Sequence, residues 1–335
     1  MFFRWLDRWD ERRALLGDAT KMVSDFVLDA ELAFPDAKGT RSIEQFGDHA
    51  EHAVANPAFF DEPNGAEARV RWKEGWIIFP SSLSTDIEEN NTVWGRVTEA
   101  RRSDHALLVF HHWNASSRYP LLAHFFARRG ITVVEIAMPY HFERRRPSAP
   151  HADYMLSPNL GRTIQSMRQA VLDGRKLIRI LENSGYKKFS VLGLSLGSWV
   201  AGLVAAHDLA VGRAALFLTA GDLADMVWTG RATRHIRASL QGEMHVTELR
   251  RAWSPLSLDN YANRLARPEL ALQLVIAKRD TVVLPELSER LIAKLREAGA
   301  EPNMLVMNCG HYSLSLPPYI VRAVSSVWRL LEHSP

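Results

Sequence analysis

From about residue 104 onward, apolar runs of strand length alternate with helix-length segments, and this alternation confines the chain to a small set of folds. The runs are ALLVF at 106–110, ITVVEIA at 131–137, FSVLG at 189–193, RAALFL at 213–218, LALQLVIA at 270–277 and NMLVM at 303–307. Strands without polar alternation must be covered on both faces. The intervening segments, such as 160–182 and 285–298, have the length of crossover helices. The pattern predicts an α/β fold: a mostly parallel central sheet with helices on both faces.

The flanking segments follow other rules. Residues 1–66 carry aromatic and aliphatic residues at helical spacing (Phe2, Trp5, Leu6 and Trp9, then Leu15, Leu16, Met22, Val23, Phe26 and Val27), which predicts a helical N-terminal extension ahead of a domain spanning 67–335. Residues 67–80 and 91–101 alternate partially, as in exposed antiparallel strands at a sheet edge, with turns at Pro80-Ser81-Ser82 and Asn90-Asn91. The stretch 222–266 exceeds an ordinary loop and reads as helical, a cap-like insertion. Its Met226, Trp228, Trp253, Leu256 and Tyr261 either cover an apolar substrate group or pack the insertion onto the domain.

Composition removes several function classes. The 335 residues are 47% apolar and 24% charged with a net charge of +3, too weak a field to argue for nucleic acid. The single cysteine, Cys309, closes no intrachain disulfide and points to a reducing, cytoplasmic setting. No uncharged apolar run reaches the roughly 18 residues of a membrane span, and charges interrupt the opening MFFRWLDRWDERR where a signal peptide would be apolar. Trp5 and Trp9 beside Arg4, Arg8, Arg12 and Arg13 would suit a helix resting on a membrane, but Asp7, Asp10 and Glu11 offset most of that charge. Docking onto the body or onto a second copy of the chain is expected instead.

Chemistry concentrates in KKFSVLGLSLGSWVAG at 187–202: an apolar strand, Gly193-Leu194-Ser195-Leu196-Gly197, then an apolar helix running to about His207. This is the G-x-S-x-G pattern at a strand-to-helix turn. A serine on so sharp a turn crowds the positions two residues away on either side, where glycine relieves the clash. A serine hydroxyl is a weak nucleophile and needs a base oriented by an acid. Downstream, LALQLVIA leads into Lys278-Arg279-Asp280-Thr281, and NMLVM into Asn308-Cys309-Gly310-His311-Tyr312-Ser313. Asp280 and His311 thus stand just past the carboxyl ends of strands, where open parallel sheets bind ligands. Asp222 is the alternative acid.

With the elbow at Gly193–Gly197, Asp280 in RDTVVLP and His311 in CGHYS, the sequence resembles the α/β-hydrolase superfamily over about residues 67–333. The resemblance implies a serine hydrolase cleaving a carboxylic ester through an acyl-enzyme, with Ser195 as nucleophile, His311 as base and Asp280 as its orienting acid. The same triad serves acyltransferases, thioesterases and peptidases, and a non-catalytic binding protein on this fold stays open as well.

The resemblance also implies two oxyanion donors, the backbone N–H of Leu196 and one in the segment Phe110–Asn114, most simply that of Trp113 with Asn114 as the competing register. Family members often show His-Gly where this chain has His111-His112, and histidine is less free than glycine in its backbone angles. His112, Asn114, Tyr140, His141 and Arg144 are the expected substrate contacts, the arginine run 144–146 offering a site for a carboxylate or phosphate unless it is simply a solvated basic loop. His105, His111, His112, His141 and His151 follow no metal-ligand spacing, so neither a metal nor another cofactor is expected. The expected partner is a small-molecule ester or acyl substrate; homo-oligomers stay open. Cys309, two residues before His311, is a point where oxidation would disturb the site.

Overall fold

The computed structural model describes residues 2–18, 21–62, 69–149 and 151–332. Nine strands among them form a single sheet: β1 (Arg71–Lys73), β2 (Trp76–Pro80), β3 (Thr92–Thr98), β4 (His105–Phe110), β5 (Thr132–Ile136), β6 (Lys188–Leu194), β7 (Val211–Phe217), β8 (Ala271–Ala277) and β9 (Asn303–Met307). Their order across the sheet is β1-β2-β3-β5-β4-β6-β7-β8-β9. Strands β4 to β9 are mutually parallel, whereas β1, β2 and β3 are antiparallel and join the sheet where β3 meets β5. The six apolar runs fall on β4 to β9.

Helices α1 (Phe2–Asp18), α2 (Ala30–Ala33) and α3 (Ile43–Ala55) precede the sheet; α4 (Pro120–Ala127), α5 (Leu160–Asn183) and α6 (Leu196–His207) connect its central strands. Between β7 and β8 lie α7 (Leu223–Thr229), α8 (Arg234–Leu240), α9 (Val246–Ala252) and α10 (Ala262–Leu265). The chain closes with α11 (Pro285–Glu297) after β8 and α12 (Tyr319–Glu332) after β9.

All six residues of β4 are buried, and they divide by the strand's two-residue period. Ala106, Leu108 and Phe110 enter one core with α5 and α6, while Leu107 and Val109 enter a second with Phe126 of α4, Val327 of α12 and Leu6 of α1. This two-sided burial explains the absence of polar alternation. Met226, Trp253, Leu256 and Tyr261 belong to the first core, so these four pack the 222–266 stretch onto the sheet domain.

The antiparallel edge departs from expectation. Only β1 is exposed throughout; Ile77, Phe79, Val93 and Val97 of β2 and β3 lie in the first core. Gly95 explains how closely these strands approach, since a Cβ there would lie 2.7 Å from Ile77 Cγ2 and 2.9 Å from Val134 Cγ1. Asn90 and Asn91 do not make a surface turn: they close a 3-10 helix at Glu88–Asn91, and Asn90 is buried.

Candidate active site

Ser195 sits between β6 and α6 at φ 52° and ψ −123°, a conformation that costs an ordinary residue of order 1–3 kcal/mol. The turn is held by the Ser195 N–H donating to Phe217 O at 2.9 Å and by Ser198 N–H and Oγ–H donating to Ser195 O at 2.7 and 2.6 Å. Both flanking glycines are sterically required. A Cβ at 193 would lie 2.3 Å from Gly197 O, and one at 197 would lie 2.3 Å from Phe110 O.

Three strand ends converge on this turn. Ser195 Oγ is 3.1 Å from His311 Nε2, and His311 Nδ1 is 2.8 Å from Asp280 Oδ2. The other oxygen, Asp280 Oδ1, accepts the N–H groups of Val282 and Val283 at 2.7 and 2.9 Å. Those two bonds aim Oδ2 at the imidazole. Asp222 is engaged elsewhere, capping α7 by accepting from Ala224 and Asp225 N–H at 2.8 and 3.4 Å. Burial foremost, then the neighbouring Asp225, pushes its carboxyl up to about 6.

The segment after β4 is built around two buried histidines. His141 Nε2 accepts the N–H of Asn114 at 2.9 Å, so its Nδ1 carries the proton and donates to Pro139 O at 2.8 Å. By the same logic His111 Nε2 accepts from Met138 N–H at 3.1 Å and its Nδ1–H donates to His112 O at 2.9 Å. Each ring has both nitrogens committed to backbone, and desolvation lowers His141 to about 3 and His111 well below its ordinary value. The positive φ of this segment falls at Asn114, 58°, and not at His111 or His112. Asparagine tolerates that region better than most residues, so the missing glycine is no obstacle.

The Asn114 N–H is therefore unavailable to a ligand, and its Oδ1 accepts from Ala152 N–H at 2.8 Å. Leu196, the first residue of α6, has an N–H that no preceding turn can satisfy. Trp113 is half-buried, donates Nε1–H to Ala152 O at 2.9 Å, and stacks on His235 of α8 at 6.0 Å and 8°. His112 is exposed over part of its surface. Its Nδ1 hydrogen-bonds to the Tyr119 hydroxyl, and desolvation, then His311, then Arg13 lower it to about 4. Tyr119 escaped sequence reasoning because no spacing rule connects it to His112.

Three expected substrate contacts are corrected. Tyr140, His141 and Arg144 are only 1%, 1% and 0% exposed. The Tyr140 N–H donates to Asn90 Oδ1 and its ring packs edge-on against Tyr154. Arg144 donates to the carbonyls of Asn90 and Ala137 and makes a fully buried ion pair with Asp173 at 2.9 Å. Arg146 pairs with Asp153 at 2.7 Å, leaving Arg145 as the exposed member of the run. The backbone turns of the segment, φ 63° at Tyr140 and 51° at Phe142, direct these polar groups inward. Cys309 is also wholly buried; desolvation, then Asp10 and Asp280, push its thiol up to about 12, which suppresses the thiolate that oxidants attack.

Sheet order, strained serine turn and strand-end side chains together define the α/β-hydrolase fold. Solved structures agree: the chain is similar to acetyl xylan esterase 1 from Thermoanaerobacterium sp. JW/SL YS485, with a TM-score of 0.62 and 14% identity over 92% of this chain and 96% of that one. It is similar to the acetyl xylan esterase from Paenibacillus sp. R4, TM-score 0.58 and 14% identity, over 90% and 99% of the two chains. Similarity to the Pyrococcus horikoshii acylaminoacyl peptidase, TM-score 0.59 and 11% identity, covers 79% of this chain and 41% of that one. At these identities the likeness is one of fold. No family model and no curated protein matches the sequence. No helix among the described residues is long and apolar enough to cross a membrane.

Proposed function

We propose that the protein is a serine hydrolase that cleaves a carboxylic ester through an acyl-enzyme. The observation that carries this is the unbroken hydrogen-bonded chain from Ser195 through His311 to Asp280, with the serine on a strained turn at the carboxyl edge of the sheet. His311 Nε2 takes the Oγ proton as Ser195 attacks the ester carbonyl, and Asp280 holds the Nδ1–H tautomer and stabilises the imidazolium. The imidazolium then protonates the leaving alcohol. Water attacks the acyl-enzyme by the same proton path in reverse. Charge developing on the carbonyl oxygen is met by the N–H groups of Leu196 and Trp113.

His112 is the substrate contact we retain. With Nδ1 held by Tyr119, its Nε2 is the atom left for the ester, and a neutral ring adds no second positive charge beside the imidazolium. An ester is favoured over a peptide because the esterase structures align along nearly their whole length and the peptidase along less than half of its own. The test is a series of p-nitrophenyl esters of increasing acyl length, assayed with the wild type and Ser195→Ala. Turnover of at least one ester, abolished in the variant, is the expected result; turnover of aminoacyl anilides but no ester would move the assignment to a peptidase. Acyl transfer to an added alcohol in preference to water would make the protein an acyltransferase.

A further inference from the structure

We infer that Asp10, on the N-terminal helix, is a positioning residue for the catalytic histidine: it caps the loop that carries His311 from outside the hydrolase domain. The inference rests on the serine hydrolase proposal for the meaning of His311, but its structural basis is separate.

Helix α1 spans 17 residues and turns Leu6, Asp10 and Ala14 inward, four residues apart on one face. Leu6 and Ala14 are small or apolar, as a docked face requires. Asp10, at 9% exposed, is a buried carboxylate and calls for a reason. That reason lies 302 positions later in the chain: Asp10 Oδ1 accepts the N–H of Tyr312 at 2.7 Å and of Ser313 at 3.1 Å, the two amides directly after His311. These amides open the 3-10 turn Ser313–Ser315, where the first N–H groups have no acceptor within their own turn. Asp10 supplies the acceptor that an N-cap side chain ordinarily would. The turn's own N-cap residue, Tyr312, makes no side-chain cap, and Ser313 Oγ instead accepts the N–H of Gly310 at 2.8 Å on the other side of the histidine.

The fit between helix and loop is close. A Cβ on Gly310 would lie 2.6 Å from Asp10 Cγ, so the glycine before His311 is what lets the loop reach the carboxylate. The helix is fixed on both sides of this contact. Asp7 pairs with Arg279, the residue before Asp280, with Arg279 Nε 2.7 Å from Asp7 Oδ1, and Glu11 pairs with Arg231 at 2.7 Å. Thus α1 grips both loops that bring acid and base to Ser195. The imidazole must satisfy contacts of 2.8 and 3.1 Å on opposite sides at once, and a displacement of about 1 Å in such an arrangement can cost about 100-fold in rate.

The experiment compares full-length wild type, Asp10→Ala and Asp10→Asn, all at a temperature where circular dichroism shows each folded. Asparagine keeps an Oδ1 acceptor and alanine removes it. For Asp10→Ala we expect amide hydrogen exchange across 310–315 to accelerate at least about 10-fold. Phosphonylation of Ser195 by a fluorophosphonate and kcat for p-nitrophenyl acetate should fall about 10- to 100-fold, with KM changed less than about threefold. Asp10→Asn should restore each quantity to within about fivefold of wild type. Wild-type exchange and reactivity in Asp10→Ala would overturn the inference, as would an Asp10→Asn variant that falls as far as the alanine. A wild type inert to the phosphonate would defeat the hydrolase proposal instead, and the exchange data would still decide whether Asp10 holds the loop.

Discussion

His141 Nε2 accepts the backbone N–H of Asn114 at 2.9 Å and so joins the loop after β5 to the loop after β4, which is proposed to supply an oxyanion donor. The ring is 1% exposed and has no free nitrogen. His141→Ala leaves the Asn114 N–H and the Pro139 carbonyl without partners and opens a cavity, for an expected loss of about 2–4 kcal/mol in urea unfolding. In the folded fraction kcat should fall more than KM rises, because the donor is displaced where transition-state charge develops.

Arg144 and Asp173 form an ion pair in which both side chains are 0% exposed. Removing one partner strands the other charge, so Arg144→Met should lose about 3–5 kcal/mol by urea unfolding, and Arg144→Met with Asp173→Leu should recover part of it. KM should not move. An unchanged stability with a raised KM would instead point to an anion-binding role for the arginine.

His141 and Arg144 differ from Ser195, Asp280 and His311 in how far a sequence discloses their place. Ser195, Asp280 and His311 were legible because each ends an apolar strand, and the topology of a parallel sheet sends all such ends to one edge. Strands β4 to β8 were legible because burial on both faces removes most polar alternation; the edge strand β9 reads the same way from its apolar run, although Asn303 and Val306 are exposed and only Met307 is buried. Tyr140, His141 and Arg144 also follow a strand on that edge, yet positive φ values within the loop turn them inward, which no periodicity records. The antiparallel strands β2 and β3 looked exposed because alternation does not say whether something covers the outer face. Asp10 is farther still from legibility: its partners lie at the opposite end of the chain.

Asp280 and Asp222 can be separated by substitution. Asp280→Asn should cost about 10⁴-fold in kcat, because an amide in place of the carboxylate disfavours the required tautomer. Asp222→Asn should cost less than about 10-fold, since the side chain caps α7 and asparagine caps well. Steady-state kinetics on one ester decide between them.

Stability should fall on mild acidification. Burial lowers His105 and His235 to about 4 and His141 and His207 to about 3, from an ordinary value of 6.5. As pH falls below 6.5 the unfolded chain takes up protons at these positions that the native state refuses, so stability is complete above that value and declines toward pH 4 and below. Asp222, raised to about 6, acts in the opposite sense, its native carboxyl binding a proton between pH 6 and its ordinary 3.8. Burial lowers His111, His112 and His151 in the same sense as these four, and raises Glu135 and Asp259 in the sense of Asp222. The lowered histidines outnumber the raised carboxyls, so the urea midpoint should drop between pH 7.5 and 5; a constant or rising midpoint would mean that these histidines are solvated.

The central claim is that Ser195 is a nucleophile activated by His311. Intact-mass and peptide analysis after treatment with a fluorophosphonate measures this directly. One adduct per chain is expected, located on Ser195, absent in Ser195→Ala and formed at least about 10³-fold more slowly in His311→Ala. A wild type that stays unmodified, or an adduct on another residue that persists in Ser195→Ala, would contradict it.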